Sequence, residues 1–280
     1  MVRSKKPKVL ILGANGMLGS QLSFIFAKYN LTLWTRSDLD ITQQQKVKAK
    51  ITELKPDIVI NAAGFTAVDE CEKKADLALK INGEAVGFLA LVCREISAIL
   101  VHYSTDYVFS GKKEDGYREN DHTYPINTYG KSKEYGEKML KKYLDNFYLI
   151  RTSWLYGHNG QNFVDTIKKL ASKRVEIKVV NDQFGKPTYA WDLAVRTREI
   201  IDGKLDFGIY HITNEGVTSW YKLAKQICRI MEYKTKVVPI TTFQMPRPAK
   251  RPKYSILKNT KIKKSRSWSK ALLEYLKASE

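Results

Sequence analysis

The chain has 280 residues, 43% of them hydrophobic and 28% charged, enough to bury one or two globular cores. It contains no run of about 18 apolar residues, which argues against a membrane-spanning helix. The formal net charge of +19 would suit nucleic acid, but the lysines are spread along the chain, and residues 258–266, the densest cluster, hold no aromatic residue to stack a base. Neither nucleic acid nor a membrane is therefore expected as a partner.

The N-terminus, Met1-Val-Arg-Ser-Lys-Lys-Pro-Lys8, is basic but runs straight into a β-like stretch without a cleavage pattern, so the cytoplasm is the expected compartment. Cys71, Cys93 and Cys228 lack pairing or metal spacing and read as reduced core thiols, and His102, His122, His158 and His211 offer no ligand spacing either, so no metal is expected.

The first predicted strand, residues 9–12, enters Gly13-Ala-Asn-Gly16-Met-Leu-Gly19, which opens a helix predicted over 16–29. Glycines at this strand–turn–helix junction permit a tight turn, close approach of backbone to a pyrophosphate and close helix–strand packing. The helix N-terminus offers free N–H groups to the diphosphate.

A second strand over 31–34 is followed by Arg36 and then Asp40-Ile41. An acidic residue here favours the ribose 2′-hydroxyl of NAD, and an arginine accommodates the 2′-phosphate of NADP. Arg36 points to NADPH, with NADH also admitted; a plain solvated arginine is the competing reading.

After a helix over 43–54, a third strand, 58–60, ends in Asn61-Ala-Ala63-Gly64-Phe65-Thr66. Small residues such as Ala63 and Gly64 at a strand's carboxyl end let backbone press against a cofactor. A helix over 73–93 and a strand over 99–101 lead to Tyr103-Ser-Thr105-Asp106-Tyr107. The next helix, 127–144, carries Tyr129 and Lys133, four residues apart and so on one face.

That pair suits carbonyl reduction. Tyr129 donates a proton, Lys133 holds a nicotinamide ribose and favours tyrosinate, and the Thr105 hydroxyl orients the carbonyl oxygen. An ordinary phenol titrates near ~10, so the ammonium and an oxidised nicotinamide are expected to lower it. The fifth strand, 147–150, runs on into Arg151-Thr-Ser-Trp154 at the ligand edge of the sheet. There Trp154 reads as an apolar wall of the ligand site, the alternative being a tryptophan filling a seam between domains.

Beyond residue 156 the pattern is mixed: strands over 175–180 and 208–212, helices over 192–201 and 219–231, a Pro-rich stretch and a closing helix over 267–276. Strands alternating with helices predict an α/β fold, a Rossmann-type doubly wound parallel sheet with a smaller C-terminal substrate-binding cap. The dinucleotide-binding domain is set at residues 1–157, with some later segments returning to it, and the α/β cap at 158–280. Their cleft is the expected ligand site.

At these residues the chain resembles the extended short-chain dehydrogenase/reductases, and within them the dTDP-4-dehydrorhamnose reductase family. The likeness runs from Lys8 to about Leu276. Besides the glycine motif it rests on the Asn61–Asp69 run, Ser104-Thr-Asp-Tyr-Val-Phe109, Tyr129-Gly-Lys-Ser-Lys133, Arg151-Thr-Ser-Trp154, Asn181-Asp-Gln-Phe-Gly-Lys-Pro-Thr188, Gly208-Ile-Tyr-His211 and Arg251-Pro-Lys-Tyr-Ser255.

The resemblance implies that Thr105, Tyr129 and Lys133 are catalytic. It implies that Gly16, Met17, Leu18, Asp40, Ile41, Gly64, Phe65 and Thr66 contact the cofactor, and that Thr105, Asp106 and Trp154 contact a deoxysugar. The implied reaction reduces the C4 ketone of dTDP-4-dehydro-β-L-rhamnose to dTDP-β-L-rhamnose.

Some members dimerise through a magnesium ion held by glutamates, one just after the glycine loop. This chain has Gln21 there, so no metal is expected at that point, and a homodimer is left open. Leu257-Lys-Asn259 stands where the family's Leu-Asp-Asn is expected. A non-catalytic, NADP-binding branch, the regulatory subunits of methionine adenosyltransferase, and nucleotide-sugar epimerase or dehydratase relatives are the alternatives. Thr105 and Trp154 favour the enzyme.

Overall fold

Strands whose residues are apolar on both sides are stable only between two helical layers. The computed structural model describes residues 6–278; residues 1–5, with most of the basic N-terminal stretch, and 279–280 lie outside the described residues. Its strands are β1 (Lys8–Leu12), β2 (Asn30–Trp34), β3 (Ile58–Asn61), β4 (Ile99–Thr105), β5 (Phe147–Thr152) and β6 (Leu155–Tyr156). They continue as β7 (Glu176–Val180), β8 (Phe184–Gly185), β9 (Thr188–Tyr189), β10 (Gly208–His211), β11 (Thr218–Ser219) and β12 (Lys236–Ile240).

The helices are α1 (Met17–Ile25), α2 (Gln44–Leu54), α3 (Val68–Lys73), α4 (Ala75–Leu79), α5 (Ala85–Glu95) and α6 (Thr128–Tyr143). After them come α7 (Phe163–Ala171), α8 (Ala190–Asp202), α9 (Trp220–Ile230) and α10 (Trp268–Lys277). Among the described residues no helix is long and apolar enough to cross a membrane.

Six strands form one parallel sheet in the order β2-β1-β3-β4-β5-β10. The chain winds outward from β1 in both directions, so a crevice opens beyond the carboxyl ends of β1 and β3. Alternate side chains of β1 serve opposite layers. Val9 and Ile11 meet Leu18 and Leu22 of α1 and Leu193 and Ala194 of α8. Leu10 and Leu12 face the layer of Val47, Ile51, Leu89 and Leu140 from α2, α5 and α6.

A separate core gathers α7, α9 and α10 around Ile177 and Val179 of β7, which pairs in parallel with β12. Both α8 and β10 lie after residue 157 in sequence, yet they pack into the main sheet.

Three helical segments differ from the sequence expectation. The helix expected to reach Tyr29 ends at Ile25, because Phe26 takes φ −94° and ψ 8°. The single helix expected over 73–93 is α3, α4 and α5, with α4 and α5 joined by a π-helical turn over Lys80–Glu84. Helix α7 was not anticipated, although Asn162 caps it by accepting from the Asp165 N–H, and its buried Val164, Ile167 and Ala171 have helical spacing. The three cysteines are free and buried, as expected.

Candidate functional site

The crevice is a cleft of about 430 Å³ walled by residues of both packing units, among them Gly16, Lys133 and Trp220. Gly13 sits at φ +74°, and its N–H and that of Ala14 donate to the Trp34 carbonyl at 2.9 and 3.1 Å, tying the loop to β2. A Cβ on Gly13 would lie 2.8 Å from the Ala63 nitrogen, and one on Gly19 would lie 2.0 Å from the Gly13 oxygen. These two glycines therefore serve packing of loop, helix and β3 behind the cleft.

Gly16, Met17 and Leu18 face the cleft itself. Helix α1 has no side-chain cap and no acidic residue in its first turn. Its leading N–H groups are thus available to an anion. On the far wall Ala63, Gly64 and Thr66 line the cleft, and a Cβ on Gly64 would approach only the Asn82 Oδ1 at 3.3 Å and the Lys133 Nζ at 4.0 Å. An uncapped helix end facing glycine across an open cleft fits a dinucleotide diphosphate.

Helix α6 delivers Tyr129 and Lys133. Its start is fixed twice: Asn127 accepts from the Gly130 N–H at 2.8 Å, and Glu72 accepts from the N–H and hydroxyl of Thr128 at 2.9 and 2.6 Å. Tyr129 is 9% and Lys133 5% exposed. Lys133 Nζ donates to the Tyr103 carbonyl at 2.5 Å; burial pulls its ammonium down to about 8, opposed by Glu137 one turn on.

Burial pushes the Tyr129 phenol above its ordinary value, opposed by a hydrogen bond with Thr105. Loss of hydration dominates and holds the phenol neutral, and the positive charge of an oxidised nicotinamide, part of the expected lowering, would act against it.

The Thr105 hydroxyl accepts from the Tyr107 N–H at 3.1 Å and donates to Asp106 Oδ1 at 2.9 Å. Asp106 is 2% exposed, and burial raises its carboxyl to about 7, with Ser255 and Thr105 favouring the charged form. Trp154 adopts φ +47° and stacks on Trp220 with ring centroids 3.5 Å apart and planes 7° from parallel. Both line the cleft, so Trp154 occupies the seam and the site at once.

The cleft thus brings together Gly16, Met17, Leu18, Ala63, Gly64, Thr66, Thr105, Asp106, Tyr129, Lys133 and Trp154. Gly13, Gly19 and Phe65 stand behind its surface. Arg36, Asp40 and Ile41 lie past the tip of β2, outside its walls. The Arg36 side chain is 81% exposed and 3.5 Å from Asp40, which also accepts from the Thr42 N–H and hydroxyl at 3.0 and 2.7 Å.

Sequence reasoning missed three features. Asn82, in the π-helical turn, accepts from the Phe65 N–H at 2.8 Å and donates to the Phe65 carbonyl at 2.9 Å and to Ser132 at 3.0 Å, clasping the β3 loop to α6. Glu137 and Arg151 form a buried two-point ion pair. Trp220 joins the cleft from α9, and its only sequence signal was its place beside the helix cap Ser219. Among the described residues no three His, Cys, Asp or Glu side chains are gathered as for a metal ion.

A family model described as the RmlD substrate binding domain matches residues 7–280. The spore coat polysaccharide biosynthesis protein SpsK of Bacillus subtilis is 42% identical over 275 residues, 96% of each chain. A dTDP-4-dehydrorhamnose reductase of Streptomyces griseus is 39% identical over 282 residues, covering 96% of this chain and 93% of that one. The structure of the dTDP-4-dehydrorhamnose reductase of Bacillus anthracis, solved in complex with NADP, superposes with a TM-score of 0.94 at 39% identity, covering 98% of this chain and 99% of that one.

Proposed function

The chain belongs to the RmlD substrate-binding family, the family of the dTDP-4-dehydrorhamnose reductases, and from that premise we propose that it reduces the C4 ketone of dTDP-4-dehydro-β-L-rhamnose to dTDP-β-L-rhamnose. NADPH is the reductant, with NADH also accepted. The observation that carries this reading is the meeting of Thr105, Tyr129 and Lys133 with the uncapped start of α1 in one cleft.

A bound reduced nicotinamide supplies the hydride to the ketone carbon. Gly16, Met17 and Leu18 hold the diphosphate at the helix end, Gly64 leaves room for the cofactor, and Lys133 holds the ribose. Tyr129, kept as a neutral phenol by burial, releases its proton to the ketone oxygen as the C=O bond becomes C–O–H, and the tyrosinate recovers a proton from solvent. Thr105 orients the oxygen, while Asp106 and Trp154 contact the sugar. Arg36, exposed at the β2 tip and 3.5 Å from Asp40, would be the group to meet a 2′-phosphate.

The test is to supply dTDP-4-dehydrorhamnose with NADPH and identify the product. dTDP-rhamnose is expected, and Tyr129→Phe should lower turnover by ~10²–10⁴-fold, as loss of a positioned general acid does. NADPH binding without turnover of the keto-sugar would move the protein to the regulatory-subunit reading. A Tyr129→Phe variant with half the wild-type rate would remove Tyr129 from its role.

A further inference from the structure

The two stacked indoles lie close to the reacting end of the cleft. In the register of β4 with β5, Thr105 pairs with Thr152, and Trp154 follows only two residues later. Trp154 thus leaves β5 beside Thr105, and both line the same cleft as Asp106 and Tyr129.

Trp220 reaches the same place from a different element, and both indoles pack against the core of α7, α9 and α10. It is the first residue of α9, where Ser219 caps the helix by accepting from the Lys222 N–H at 3.2 Å. Its ring is held on several sides. The stack with Trp154 covers one face, Phe163 approaches at 4.5 Å and 50°, and the indole N–H donates to Gln183 Oε1 at 3.2 Å. Gln183 in turn donates to the Thr242 hydroxyl at 3.0 Å, which donates to Asp182 at 2.6 Å.

Trp154 is equally constrained. Its backbone is in the left-handed region at φ +47°, and a Cβ on Gly185 would lie 2.5 Å from the indole Cε2. With planes 7° apart at 3.5 Å, nothing fits between the rings, so a ligand meets the pair as one rigid apolar wall.

We infer that Trp220 is a specificity-determining positioning residue, which through its stack with Trp154 grips the deoxysugar of the substrate and not its nucleotide. This rests on the reading that Trp154 contacts the sugar. A face-to-face partner fixes the height and tilt of Trp154; without it one face of the indole loses its packing, and the ring can tilt into the space left by Trp220.

The experiment compares binding of dTDP-rhamnose and of dTDP alone, with NADP present, to wild type, Trp220→Ala, Trp220→Phe and Trp154→Phe. Aromatic pairs contribute on a scale that corresponds to roughly two- to tenfold in affinity. Trp220→Ala is expected to weaken dTDP-rhamnose by about that factor while leaving dTDP within about twofold, and to raise KM for the keto-sugar more than it lowers kcat. Trp220→Phe, which keeps a stacking ring, should restore most of the loss.

The ratio of two ligands in the same folded sample is insensitive to general destabilisation, so a lower melting temperature alone does not mimic the result. An equal loss for both ligands would assign Trp220 to the nucleotide and overturn the inference, as would an unchanged ratio in Trp220→Ala. If Trp154→Phe shifts the ratio and Trp220→Ala does not, the inference fails while the sugar reading of Trp154 stands. If Trp154→Phe leaves the ratio unchanged, that reading fails and the inference falls with it.

Discussion

Replacing Glu137 with Gln would test how α6 is held at the site. The carboxylate accepts from Arg151 Nε at 2.9 Å and Nη2 at 2.7 Å, and from the Ser104 hydroxyl at 2.6 Å, with the paired side chains 1% and 2% exposed. Arg151 also donates to the Glu119 carbonyl at 3.1 Å and lies 5.0 Å over the Phe109 ring. An amide of the same shape leaves the guanidinium buried without a counter-charge, which costs about 3–5 kcal/mol. At about 2–4 °C per kcal/mol for chains approaching this size, the melting temperature should drop by roughly 6–20 °C.

The same change removes the group that supports the Lys133 ammonium, now at about 8. Lys133 would then deprotonate at lower pH, and the alkaline limb of kcat/KM should move to lower pH with it. A Glu137→Gln/Arg151→Met double variant separates the two effects. Removing the unpaired charge should recover most of the stability, since apolar replacements of buried pairs are often near neutral, yet the alkaline limb should stay shifted because the carboxylate is still missing. Thermal unfolding and a pH–rate series are the assays. A single variant melting within 2–3 °C of wild type, roughly 1 kcal/mol, would refute the energetic argument, and an unmoved alkaline limb would refute the link to Lys133.

Arg36→Ala should weaken NADPH roughly ten- to hundredfold relative to NADH, the scale of one charge-assisted hydrogen bond; equal losses for both cofactors, by titration, would take Arg36 out of the site. Asp106 titrates at about 7 in the fold against an ordinary 3.8, so the native state binds its proton more tightly. Its contribution to stability should fall between about pH 4 and 7, by at most about 1.4 kcal/mol per pH unit, and level off above. Asp106→Asn should lack that fall, and urea unfolding curves that track wild type across the range would sink the assignment. Gly64→Ala places a methyl 3.3 Å from the Asn82 Oδ1 and 4.0 Å from the Lys133 Nζ without meeting backbone, so it should lose NADPH affinity at little cost in melting temperature; Gly19→Ala, whose Cβ meets the Gly13 carbonyl, should displace the loop, lowering the melting temperature by the equivalent of about 1–3 kcal/mol as well as NADPH affinity.

Much of this was readable along the chain, because the relevant signals are local. Apolar runs of four or five residues announce strands covered on both faces, and glycines at 13, 16 and 19 mark a turn that opens a helix. The spacing of Tyr129 and Lys133 puts them on one helical face whatever surrounds them. Only the tertiary structure decided how these groups behave. Burial, which no spacing encodes, raises the Tyr129 phenol and pulls the Lys133 ammonium down to about 8.

The π-helical turn that aims Asn82 at Phe65 adds one residue to a helix, a phase shift too small to stand out in so short an apolar pattern, which reads as one uninterrupted helix. Glu137 and Arg151 stand on different elements, as do Trp154 and Trp220; each looks like an ordinary residue of its own segment. Their pairing exists only once the β5 register and the return of the chain through α8 and β10 have closed the fold around them, since a contact across elements depends on how their faces dock rather than on any local period.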